Sequence, residues 1–93
     1  MAKYKVRPTS KFRKDVQVLE KRGYDLSLLE DVVAKLENGE ALPPQYSDHP
    51  LKGNRKGYRD CHILNDWVLI YKIDKGILTL ILLETGTHAD VLE

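Results

Sequence analysis

Cys61 is the only cysteine in the chain. A lone thiol makes neither an internal disulfide nor a Cys-rich zinc site, which excludes disulfide-stapled secreted scaffolds and zinc ribbons. Long apolar runs are missing as well. The longest, Val68-Leu69-Ile70-Tyr71 and Ile77 to Leu83, are strand-length and far short of a membrane span. Met1-Ala2-Lys3-Tyr4 is charged and leads into no apolar h-region, so no secretory signal is expected. The expected setting is a reducing cytoplasm, without membrane association. Charge of one sign is also scarce, since 15 Lys and Arg against 14 Asp and Glu leave only +1.

What is present fits one ordered globular unit. A chain of 93 residues, 42% apolar and 31% charged, is long enough for a single domain over 1–93. Such a domain buries about 60–65% of its unfolded surface and is too small for a deep cofactor cleft. The neutral total conceals segregation: residues 1–24 carry +6, 25–48 carry −5, 49–60 carry +3 and 61–93 carry −3. That distribution can build a basic face suited to a polyanion.

The pattern along the chain predicts an α/β (α+β) fold in the order β-α-α-β-β-β. Lys3 to Arg7 alternates like a half-buried strand, with Tyr4 and Val6 on one side. Thr9 or Ser10 can cap a helix reaching about Arg22, striped by Phe12, Val16 and Leu19 and ended by Gly23. A second helix begins near Asp25 or Ser27, carries Leu28, Leu29, Val32, Val33 and Leu36 on one side, and ends at Asn38-Gly39. The short link between them predicts an antiparallel helical hairpin that needs a sheet to cover. Residues 41–57 are turn-rich. Strands then follow at Tyr58 to Leu64, Trp67 to Ile73 and Ile77 to about Glu84, joined by tight turns and hence antiparallel. The place of the first strand in the sheet is left open by pattern.

Three histidines stand out: His49 in the long loop, His62 in a strand and His88 after the last strand. The period of two puts Tyr58, Asp60, His62 and Leu64 on one face of their strand, with Arg59, Cys61 and Ile63 on the other. Asp66, four residues beyond His62, sits in the hairpin turn beside Trp67. Histidines next to a basic groove suit RNA cleavage through the 2′-hydroxyl, one group taking a proton and another returning one to the leaving 5′-oxygen. Lys52, Arg55, Lys56 and Arg59 form a candidate phosphate-binding run, and Trp67 can stack a base or pack in the core. Three His and an Asp can in principle hold zinc, but no short ligand spacing is present. Gly53-x-x-x-Gly57 and Gly86 match neither the phosphate-loop nor the dinucleotide pattern, so no cofactor is expected.

Four ordered blocks carry a resemblance: Asp48-His49-Pro50-Leu51-Lys52-Gly53, Gly57-Tyr58-Arg59-Asp60-Cys61-His62, Asp66-Trp67-Val68-Leu69-Ile70-Tyr71-Lys72 and Glu84-Thr85-Gly86-Thr87-His88-Ala89-Asp90. Together the chain closely resembles the YafQ branch of the RelE/ParE-like toxins of bacterial type II toxin–antitoxin modules. The resemblance implies a helical hairpin packed on a twisted, largely antiparallel sheet. It implies metal-independent cleavage of messenger RNA on the ribosome, silencing by a cognate antitoxin, and contact with operator DNA only through that antitoxin. Site positions carry over onto His49, His62, Asp66 and His88, with His88 the main proton-transfer residue. Trp67 matches an aromatic beside the site, and the basic loop is expected to face RNA. Two positions depart: Glu84 stands where many members have Arg, and Leu92 where they have an aromatic. Glu84 motivates an alternative of a different class, a catalytically weak ribosome- or RNA-binding protein acting mainly as an antitoxin partner in a repressor complex. A gyrase-poisoning toxin of the wider superfamily fits the histidine set less well.

Overall fold

Each segment follows from local chemistry. The computed structural model describes residues 2–92, the side chain of Leu92 excepted. Strand β1 is Lys5–Pro8, after which helix α1 covers Ser10–Lys21 and helix α2 Leu26–Glu37. Thr9 caps α1 by accepting from the Phe12 amide at 3.0 Å, and Asp25 caps α2 by accepting from the Ser27 amide at 3.0 Å. These caps satisfy amide donors that the first helical turn leaves without intrahelical partners. Between the helices Gly23 takes φ +84°, a left-handed turn that glycine adopts without steric cost.

The long loop is more structured than its composition suggests. It holds 3₁₀ turns at Pro44–Tyr46 and Gly53–Arg55 and a two-residue strand β2, His49–Pro50. Strands β3 (Arg59–Leu64), β4 (Trp67–Asp74) and β5 (Thr79–Thr87) follow, then a short helix α3 at His88–Leu92. The expected order stands, with β2 and α3 added. β5 begins at Thr79 rather than Ile77 because Asp74 Oδ1 accepts from the amides of Gly76 and Ile77. Leu78 then turns left-handed at φ 50°, leaving both apolar tips exposed.

The five strands form one sheet in the order β1-β5-β4-β3-β2. All neighbours are antiparallel except β1, which lies parallel to β5 with Val6 opposite Leu80. The Thr9 amide donates to the Leu82 carbonyl, and the Thr9 hydroxyl to that of Leu83, extending the pairing into the α1 cap.

The helices cover one face of the sheet. Phe12, Leu19, Leu29, Val32 and Leu36 pack on Cys61, Ile63, Trp67, Leu69, Tyr71, Leu80 and Leu82. Most apolar burial occurs here, where each enclosed aliphatic or aromatic side chain contributes about 1.5–3 kcal/mol against conformational entropy. β4 is central and apolar on both faces, as its sequence predicts. Its other set, Val68 and Ile70, meets Val91, Leu51, Tyr58 and Leu83. The chemistry-bearing side chains lie on this second face, away from the hairpin.

Candidate active site

The sheet register sets the layout. His49 pairs with Asp60, Asp60 with Ile70, and Ile70 with Glu84, making one row across four strands. The next row on this face runs from His62 through Val68 to Gly86. Asp60 and His62 thus share the face that strand alternation predicts.

Asp60 is the least expected member. Its side chain is 1% exposed, and neither carboxylate oxygen has a hydrogen-bond partner. His49 Nε2 approaches Oδ2 at 3.4 Å. Burial pushes the Asp60 carboxyl up from its ordinary value, while the charges of His49, His62 and His88, in that order, pull it back. His49 thus meets the buried acid directly, and His62 lies two residues along β3 on the same face. The alternation put Asp60 on this face, but nothing in the sequence signalled that it would be shut away from water.

Each histidine is placed by its own local structure. The His49 Nδ1–H donates to the Ser47 carbonyl at 2.7 Å, which leaves Nε2 to face Asp60. The next residue upstream is locked: Arg59 donates through Nε and Nη2 to the two oxygens of Asp48 at 3.1 and 3.3 Å, and the Tyr71 hydroxyl donates to Oδ1 at 2.6 Å. This network fixes the backbone that presents His49. His88 opens α3. There Thr87 Oγ1 accepts from the Asp90 amide, and Asp90 returns the favour to the Thr87 amide, a reciprocal cap. Gly86 lets α3 approach closely, since a Cβ there would lie 3.3 Å from both Asp90 and Val91. The His88 amide donates to the Asp66 carbonyl at 2.9 Å, and its Nδ1 stands 3.9 Å from Asp66 Oδ1. The rings of His62 and His88 meet edge to face at 5.9 Å.

His49, His62, Asp66 and His88 are thus brought together along one rim with Asp60 beneath. The basic residues divide. Lys52 and Lys56 are exposed, while Arg55 lies over the sheet, its Nη1 2.7 Å from Glu84 Oε2. Arg59 points to the helix side and is engaged by Asp48, because β3 alternation carries it opposite to Asp60. Trp67 is 3% exposed in the main core. Its ring packs edge-on against Tyr24 and its Nε1–H donates to Thr85 Oγ1 at 2.9 Å, so it offers no surface for stacking a base. Cys61 is buried, with its thiol pushed up by desolvation, and is chemically quiet. Among the described residues no group of three or more His, Cys, Asp or Glu side chains is arranged to hold a metal ion. The side chain of Leu92 lies outside the described residues, so its comparison with an aromatic ends at the sequence.

A helical hairpin thus covers one face of the sheet, and histidines gather beside a buried acid on the other, an arrangement that the comparisons place in a class of toxins. The family model described as "Bacterial toxin of type II toxin-antitoxin system, YafQ" matches residues 4–93. The chain belongs to the YafQ family. It is 43% identical over 82 residues to the mRNA interferase toxin YafQ of Escherichia coli K12, spanning 87% of each chain. The fold superposes on the toxin in the crystal structure of the E. coli DinJ-YafQ toxin–antitoxin complex with a TM-score of 0.89 at 38% identity, covering 98% of this chain and 99% of that one. A metal-bound toxin from Helicobacter pylori gives a TM-score of 0.89 at 42% identity, covering 98% and 99%.

Proposed function

We propose that the chain is an mRNA interferase, a single-domain toxin that cuts messenger RNA on the ribosome and is neutralised by a cognate antitoxin. The observation that carries this reading is the set of three histidines with two acids on one face of the sheet: His49 on Asp60, His88 beside Asp66, and His62 against His88. The family relationship supports it, as does the crystal structure of the E. coli toxin YafQ in complex with the antitoxin DinJ. Among the described residues no helix is long and apolar enough to cross a membrane. The cytoplasm is the proposed setting because messenger RNA and ribosomes are there.

The chemistry follows from the proton inventory. One group takes the proton of the RNA 2′-hydroxyl, the oxygen attacks the adjacent phosphorus, and a second group protonates the departing 5′-oxygen. Products end in a 2′,3′-cyclic or 3′-phosphate and a 5′-hydroxyl. Two proton-exchanging stations are available: His88 beside Asp66, and His49 beside Asp60, with His62 next to His88. His88 is assigned the leading proton-transfer role, and His49, His62 and Asp66 share the base, orienting and charge-balancing work. The face is open and shallow, so it relies on the ribosome to hold the message in reacting geometry.

Mapping RNA ends in cells expressing the chain tests this. New 5′-hydroxyl ends are expected with the wild type and none with His88→Ala, whose fold is checked by circular dichroism. Ribosome association without new ends would favour the alternative, a binding protein with little catalysis, for which Glu84 on the same face is the motive.

A further inference from the structure

Glu84 is a poor tenant for a face that receives RNA. Its side chain is only 10% exposed, and its backbone pairs with Ile70 in the row that holds Asp60 and His49. Two cations converge on it from separate elements. Arg55, in the 3₁₀ turn above the sheet, brings Nη1 to 2.7 Å from Oε2, and Lys11 of α1 brings Nζ to 3.7 Å from Oε1. Lys11 also pairs with Asp15, so Arg55 is the cation committed to Glu84 alone. The Arg55 contact is close but misaligned: Nη1 is buried and makes no hydrogen bond. The side chain is 34% exposed, and among the described residues no hydrogen bond occupies its remaining guanidinium donors.

We propose that Arg55 binds an RNA phosphate flanking the scissile one, and that Glu84 stands in for that phosphate in the free protein. A guanidinium fork matches phosphate and carboxylate alike, and it holds both when each takes one edge. Asp60 and Glu84 sit two strands apart, about 10 Å at the usual strand spacing. Arg55 therefore lies to one side of the histidine rim and meets a neighbouring phosphate, not the one attacked. A negative charge fixed under Arg55 lowers its pull on RNA, so Glu84 tempers binding while ordering the side chain. The assignment rests on the RNA-cleaving reading above for its substrate.

Two measurements on the full-length chain test it. The first is single-turnover cleavage of message on programmed ribosomes, read as a function of toxin concentration. The second is binding of a single-stranded 2′-O-methyl RNA, which lacks the attacking hydroxyl, followed by fluorescence anisotropy across a salt series. Arg55→Ala is expected to raise the half-saturating concentration about tenfold, with the loss concentrated there and not in the saturated rate. It should also shallow the salt dependence by about 0.7, the value of one phosphate contact on a single strand. Arg55→Lys should keep the salt slope, and Glu84→Gln should tighten RNA binding about threefold. Wild-type affinity and salt slope in Arg55→Ala would overturn the proposal, as would weakened binding in Glu84→Gln. A wild type that binds the 2′-O-methyl RNA through Arg55 but cleaves nothing would refute the nuclease reading alone. Thermal melts of each variant separate lost contacts from lost folding, and Arg55→Lys with Glu84→Gln keep the test decisive if Arg55→Ala unfolds.

Discussion

His49 Nε2 lies 3.4 Å from Asp60 Oδ2, and the His49 Nδ1–H is already given to the Ser47 carbonyl. The position of that one proton fixes the rest. With Nδ1 protonated, a neutral His49 presents a bare Nε2 to a protonated Asp60, and a charged His49 presents Nε2–H to a carboxylate. Both arrangements hold one proton between the two residues. Either arrangement is compatible with the 3.4 Å separation.

Asp60→Asn tests this contact. Burial raises the folded Asp60 carboxyl above its ordinary 3.8, so the native state binds the proton more tightly than the unfolded chain. Stability from this group is then full below the unfolded value and is lost as pH rises through the folded one. Removing the charge should raise neutral-pH stability by about 1 kcal/mol, a few degrees of melting temperature, and flatten the acid-side slope. Cleavage should fall about 100-fold with an altered pH profile. Parallel melts and rate–pH curves check both, and a variant less stable at pH 7 than at pH 4, relative to wild type, would contradict the burial account.

Asp48 is expected to matter through what it holds. Asp48→Ala leaves the Tyr71 hydroxyl without its 2.6 Å acceptor and Arg59 without its partner. The Arg59 pair is partly exposed and screened, so most of an expected loss of about 2 kcal/mol comes from the Tyr71 side. Urea midpoints should drop with an unchanged slope, and Tyr71→Phe should reproduce about half the effect. Equal stability of Asp48→Ala and wild type would show that the network is idle.

Thr85 separates packing from RNA contact at Trp67. Its hydroxyl accepts from the indole Nε1–H and donates to the Val68 carbonyl at 2.7 Å. Thr85→Val keeps the shape and strands both groups, at a cost of about 1–3 kcal/mol. Activity should follow the folded fraction and return to normal at temperatures well below the transition. Trp67→Phe should behave likewise, and impaired RNA affinity in fully folded Trp67→Phe would place the indole at the substrate.

The sequence reveals local order better than distant pairing. Thr9, Asp25, Gly23 and Asn38-Gly39 mark helix ends because caps and left-handed turns are properties of a few consecutive residues. Alternation in β3 sorts Asp60 and His62 from Arg59 and Cys61, yet it does not say which side the helices cover. Only the fold shows Arg59 turned to Asp48 and Trp67 sealed in the core. The parallel seat of β1 and the meeting of Arg55 with Glu84 join residues far apart in the chain, and no local pattern encodes either. The late start of β5 was obscured because Ile77 and Leu78 are apolar and yet exposed at a turn.

The seat of β1 also has a consequence in time. Among the described residues its only strand partner is β5, reached from Lys5 to Thr79 across nearly the whole chain. A contact of such long range forms late, because the intervening loop must close first. During synthesis, β1 waits until residue 82 has left the ribosome, and the rim containing His88 waits longer still. Any chain interrupted before Thr79 therefore leaves β1 with no strand to pair with.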